Sequence, residues 1–220
     1  MGIDIRALCA GACTMREVCL ESDICDNKAA ISSALIFEQM AQKITILDTF
    51  IFSPNLALLG AWYRQLVGES LGKKENLSGK IVEIGITPTV SIGTTDLHSV
   101  AQLYLGGPRD IFTQFITIRS ESTKLHVPTG FIPEQFAFLE NKSITLVKKA
   151  IFDGVAHAFT REQRPFIILE LPEINSYYIG QFLMLKMCEI IYLAHLLEIN
   201  PFDQPAVELY KKETHRLLNT

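Results

Sequence analysis

The strongest constraint on the fold is a change of hydrophobic period that repeats along the chain. Short continuous apolar runs at residues 44–52, 80–86, 111–118 and 165–171 alternate with stretches whose apolar residues recur every three to four positions. Unbroken apolar runs suit strands buried on both faces, and the helix-spaced stretches suit crossover helices that cover those faces. The pattern predicts an α/β protein with three layers, a parallel sheet flanked by helices on both faces. Helices are expected over 28–43, 54–67, 96–105, 144–161, 176–198 and 205–218. Ser53 precedes Pro54 as a helix start, Gly68 ends that helix, and Ser143 caps another. Residues 71–79 and 119–130 are expected to be loops. Residues 1–27 look helical yet precede the first strand, as a connecting helix with an upstream partner would.

At 220 residues, 48% hydrophobic and 20% charged, the chain has enough apolar material for one sizeable core. Its net charge of −4 provides no broad basic surface, so a nucleic-acid partner is not expected. Five cysteines occur, and Cys9, Cys13, Cys19 and Cys25 follow one another at spacings of four, six and six, with Cys188 far off. Zinc sites use tighter pairs with histidine nearby, so no metal is expected and the thiols read as free and mostly buried. Asp4 and Arg6 interrupt any apolar signal region. Residues 179–199 are greasy but carry Lys186, Glu189 and His195, which suits a core helix better than a membrane span. Serine-nucleophile and Gly-rich dinucleotide motifs are absent, and "GESLGKK" lacks the Ser or Thr that would end a phosphate loop.

Three polar clusters carry chemistry. In "WYRQLVGESLGKK", Trp62 to Lys74, Gln65 and Glu69 are four apart near a helix end, where both would project into one cavity and the carboxylate could move protons. In "SIGTTDLHSVAQLYLGG", Ser91 to Gly107, Thr95 or Asp96 would cap a helix with His98 in its first turn, where the positive end of the dipole favours the neutral imidazole. In "NPFDQPAVELYKKET", Asn200 to Thr214, a helix starting near Pro205 sets Gln204, Val207, Glu208 and Lys211 on one face. Solvated helix ends and a hydrogen-bonded histidine account for the same residues equally simply.

Together the clusters resemble a known family. "NPFDQPAVELYKK" resembles the second signature of the glucose-6-phosphate isomerases, "QLVGESLGK" their catalytic-glutamate segment and "GTTDLHSVAQ" their catalytic-histidine segment, in the family's order. "GIDIRALCAGA" resembles the segment after the family's first signature. Ala206 and Tyr210 depart from the glycines that many members have there.

The resemblance implies a sugar-isomerase domain, a Rossmann-like or flavodoxin-like doubly wound sheet, at residues 44–200. It also implies connecting helices at 1–43 and a C-terminal helical extension with a catalytic lysine at 201–220. Glu69 would shuttle a proton between C2 and C1 of the sugar, His98 and Lys211 would serve ring opening, and Gln65 and Gln204 would bind substrate. The implied partner is a sugar phosphate and the assembly a cytoplasmic homodimer, with no cofactor, metal, nucleic acid or membrane. His98 would enter the neighbouring copy's site and so point away from Glu69 of its own chain. The enediolate-stabilising arginine and the phosphate loop would lie before Met1, so the chain alone should be weakly active or inactive. A sugar-phosphate sensor without catalysis, or a structural module, are the competing classes.

Overall fold

The computed structural model describes residues 2–119 and 123–219. Its centre is a four-stranded parallel sheet in the order β4-β1-β5-β6, formed by β1 (Ile46–Ile51), β4 (Thr87–Ile92), β5 (Ile111–Ile118) and β6 (Phe166–Leu171). The chain enters at β1 in the middle, runs to the β4 edge, then crosses to β5 and β6. Side chains alternate along β1. Leu47 and Ile51 join clusters beneath α3 (Ala57–Leu71) and α7 (Ser176–Leu196), while Phe50 joins Phe115, Phe159 and Tyr104 under α5 (Ala101–Gly106) and α6 (Ile144–Arg161). Each large apolar side chain buried this way contributes about 1.5–3 kcal/mol.

The α/β expectation holds, and three of the four apolar runs enter the parallel sheet. The run at 80–86 does not. Its strand β3 (Ile81–Ile84) pairs antiparallel with β2 (Lys73–Glu75) in a separate hairpin, so the expected loop at 71–79 contains a strand. One edge of the parallel sheet is β4, whose Thr87, Thr89 and Ser91 alternate with Pro88 and Val90. An edge position tolerates both the proline and the polar residues.

The helices start where short polar side chains cap them. Asp4, Asn27, Ser143 and Asn175 accept bonds from the third residue on, heading α1 (Ile5–Cys19), α2 (Lys28–Ala41), α6 and α7. Ser53 does not act this way. It precedes a 3₁₀ turn at Pro54–Leu56, and its buried hydroxyl has no hydrogen-bond partner among the described residues. Gly68 does not end α3 either. The helix runs on because Leu71 is fully buried, and it ends at Gly72. The single helix expected at 96–105 is two, α4 (Thr95–Ser99) and α5, broken at Val100.

α7 is the central helix, 21 residues and about 30 Å long. By length and composition it could cross a membrane, but here it packs on α1, α2 and α3. Lys186 and Glu189 lie on its inward face and pair at 2.9 Å with both side chains fully buried. Only one cysteine is buried: Cys9, Cys13 and Cys25 are exposed and Cys188 is partly covered, contrary to expectation. α1 turns Gly11, Met15 and Cys19 inward, which leaves Cys9 and Cys13 on its outer face. Of the loop expected at 119–130, residues 120–122 lie outside the described residues.

Candidate active site

Gln65 and Glu69 sit on the outer face of α3, opposite the buried Tyr63, Val67 and Leu71. The Gln65 Nε2 amide donates to Glu69 Oε1 at 3.0 Å, so the four-residue spacing does bring amide and carboxylate together. Both are exposed on the helix surface and do not project into a closed cavity. A cavity of about 550 Å³ opens elsewhere, between α2, α7 and the β6 edge, lined by Ile31, Ser32, Leu35, Ile168, Phe182 and Leu185 among others.

α3 leaves the C-terminal end of β1 and runs back along the sheet. Gly60 lies under Ile51 and Val90, and Gly68 lies beside Pro88, near the start of β4. Glu69 is therefore at the N-terminal edge of the sheet. There Lys73, whose side chain is only 5% exposed, turns back over the helix end. Its Nζ donates to Glu69 O at 3.0 Å and to Asp203 O, and lies 3.4 Å from Asp203 Oδ1. This lysine brings the Asp203–Gln204 segment to the end of α3, joining two of the three clusters. A signal was present in the sequence: the first lysine after Gly72 stands where a cation meets the unsatisfied carbonyls of a helix end.

The third cluster lies elsewhere. α4 follows the C-terminal end of β4, and the Asp96 carboxylate accepts from Ile92 N at 2.6 Å and Ser99 Oγ at 2.7 Å. Asp96 thus folds α4 back onto the strand and does not cap it; Thr94 precedes the helix without a side-chain bond. His98 is exposed in the last turn of this five-residue helix, so the expected first-turn dipole effect has no long helix behind it. At about 3.3 Å per residue, β4 separates the His98 end from the Glu69 end by on the order of 15 Å. The two side chains do not meet within one chain.

α8 (Val207–Leu218) begins two residues later than expected, after turns in which Val207 N and Glu208 N reach back to Gln204 O and Pro205 O. None of its residues is buried. Lys211 Nζ donates to Glu208 Oε1 at 2.8 Å, and this bond raises its pKa.

Two buried polar clusters escaped the sequence reading. Asp48 in β1 is fully buried, and its Oδ1 accepts from Thr89 Oγ1 at 2.7 Å, Ser91 Oγ at 3.0 Å and Tyr104 OH at 3.0 Å, while Oδ2 has no partner among the described residues. Burial pushes its pKa up, against the pull of the three hydroxyls. On the other face, Lys186 Nζ donates to Gln114 Oε1 at 2.6 Å and to both Glu189 oxygens, which also accept from Ser32 and Tyr63 hydroxyls. Burial pushes the lysine down and Tyr63 well up.

An α/β domain with its ligand-type side chains split between the two ends of a parallel sheet is the class this geometry defines. The family profile for phosphoglucose isomerase matches residues 3–220, and the chain belongs to that family. Curated relatives named glucose-6-phosphate isomerase include one from Carboxydothermus hydrogenoformans, 34% identical across 99% of this chain and 47% of that protein. Another, from Parabacteroides distasonis, is 38% identical over the same shares, and one from Methanocaldococcus jannaschii is 30% identical over 99% and 52%. The chain spans about half the length of the curated relatives it matches. Among solved structures, a hypothetical protein of Thermus thermophilus superposes with a TM-score of 0.92 at 27% identity, covering all of this chain and 51% of that one. A glucose-6-phosphate isomerase from Chlamydia trachomatis, at 18% identity and a TM-score of 0.84, shares the fold.

Proposed function

We propose that this chain is the C-terminal part of a glucose-6-phosphate isomerase, carrying the second sugar-isomerase domain at 44–200, connecting helices at 1–43 and a lysine-bearing segment at 201–220. The reaction interconverts glucose 6-phosphate and fructose 6-phosphate through an enediol. Glu69 takes the proton from the carbon beside the carbonyl and returns it to the neighbouring carbon. A carboxylate does this only when held close to a carbon whose resulting enediolate is stabilised, so the base must be fixed and a cationic or amide environment supplied. Gln65 orients Glu69 and, with Gln204, binds substrate hydroxyls. Lys211 and His98 exchange protons with the ring and hydroxyl oxygens during ring opening. The roles require no metal or cofactor.

The observation that carries this reading is the junction at Lys73, which sets the Gln65–Glu69 pair beside the segment bearing Gln204. His98 lies at the other end of the sheet, which supports a site completed by a second copy in a homodimer; the compartment proposed for it is the cytoplasm. An upstream half would supply the grip on the phosphate and the stabilisation of the enediolate.

The test is a fusion in which this chain replaces the matching half of the Carboxydothermus hydrogenoformans relative. The fusion should isomerise fructose 6-phosphate, and Glu69→Gln should abolish turnover. The chain alone should run at least about 100-fold slower, because a lost oxyanion donor costs that much before any loss of substrate binding. A folded fusion that is inactive, or a Glu69→Gln fusion that stays active, overturns the proposal.

A further inference from the structure

We propose that Lys73 is a positioning residue, a buried ammonium latch that fixes the helix end carrying Gln65 and Glu69 against the Asp203–Gln204 segment and, through it, α8. Had α3 continued, the amide of residue 73 would have closed onto Glu69 O. Instead the chain leaves the helix at Gly72, whose N–H reaches Gly68 O at 3.4 Å. The carbonyl of Glu69 is then one of the unsatisfied acceptors of a helix C-terminus. Lys73 supplies the missing donor from its side chain, at the end of α3 where a cation is favoured by the helix dipole.

The same ammonium has donors for two further acceptors, and Asp203 provides both, its backbone carbonyl and its carboxylate. The ammonium is nearly buried while the Asp203 carboxylate is 54% exposed, so the ion pair is partly screened and the two backbone carbonyls carry most of the latch. Lys74, the next residue, is exposed.

The latch is anchored on both sides. β2 holds the Lys73 backbone by pairing with Ile84, and the hairpin is tied to the end of α7 through Leu77 N to Glu198 O at 2.8 Å. Beyond Asp203 no residue of α8 is buried, so the position of that helix depends on the anchor at its base. Losing the latch would free the Gln204 segment and let the last turn of α3 fray. That Glu69 is the group positioned rests on the function proposed above; the latch itself follows from the contacts alone. A displacement of about 1 Å at a reacting group can cost on the order of 100-fold in rate.

Hydrogen exchange on the 220-residue chain tests the latch without catalysis. Lys73→Met should raise exchange over residues 201–218 by about tenfold or more while α7 stays protected. Lys73→Arg should restore most of the protection, and Lys74→Met should change nothing. Asp203→Ala, which keeps the backbone acceptor, should act in the same direction more weakly and serves if Lys73→Met does not fold. Unchanged exchange in Asp203→Ala and in a folded Lys73→Met overturns the latch.

In the active fusion, Lys73→Met should lower kcat by roughly 100-fold with KM moved less than about threefold, and Lys73→Arg should recover most of the loss. An equal rise in KM with kcat retained would overturn the positioning role. Retained activity in Glu69→Gln would instead remove the catalytic reading and leave the exchange result to decide the latch.

Discussion

The carboxyl of Asp48 is fully buried between β1, β4 and α5, with three hydroxyls on one oxygen and, among the described residues, none on the other. Burial disfavours the charged form, so the folded-state pKa lies above the unfolded value of about 3.9. A raised carboxylate pKa means the folded state holds the proton more tightly. The associated stability is fully present below the unfolded pKa and is lost as pH rises through the folded one. Asp48→Asn has no such proton to lose. Urea midpoints of the two proteins, compared from about pH 4 to pH 7, should therefore shift against the wild type as pH rises. A constant gap would show that Asp48 does not change charge in that window. Asp48 was invisible in the sequence because it stands inside an apolar run, where a strand buried on both faces shows no alternation to mark one polar site. Lys186 and Glu189 were visible on α7, but their partners Tyr63, Ser32 and Gln114 come from three distant segments. Gln65 and Glu69, by contrast, were legible as a pair, since helical spacing is local information.

At the level of elements, the closest approach is between α1 and α7. A Cβ on Gly180 would lie 2.0 Å from Leu8 O, and one on Gly11 would lie 1.9 Å from Tyr177 O. These are backbone atoms that cannot rotate aside, so the two helices would have to separate. Alanine raises helix propensity by about 1 kcal/mol, but overpacking of this kind costs about 1–3 kcal/mol or more. Gly180→Ala should thus lower the melting temperature and speed exchange in α1. Gly154→Ala on α6, where a Cβ meets nothing within 4 Å, should do the opposite and raise stability by about 0.5–1 kcal/mol. Thermal unfolding of the pair checks the sign difference. Neither crossing glycine was legible, because a close contact between segments about 170 residues apart leaves no local trace. The sheet was legible where its strands form continuous apolar runs: those predicted at the central β1 and β5 and at the β6 edge match within two residues. The reading failed at the β4 edge, where Pro88 and the alternating Thr and Ser look like loop, and at 80–86, which is more apolar but forms only a hairpin.

For the molecule as a whole, under the proposed function, the separation of Glu69 from His98 decides how a complete site can form. One lies by the start of β4 and the other beyond its end, so a rigid sheet keeps them apart. A single chain would need to break α4 from β4 to bring them together, at the cost of the Asp96 bonds and of the packing of Tyr104 in α5 against Phe50. The proposed symmetric dimer needs no such change, because contacts across a two-fold axis are reciprocal and His98 of each copy can meet Glu69 of the other. The consequence is complementation. Glu69→Gln and His98→Gln, each made in the active fusion, should be inactive as pure proteins. Mixed and allowed to exchange subunits, they form heterodimers with one site built from an intact Glu69 and an intact His98 and a second site lacking both. Random exchange places half the subunits in such dimers, so the mixture should recover about a quarter of the unmutated turnover. If both residues served from the same chain, every site in the mixture would carry one lesion, and mixing would restore nothing.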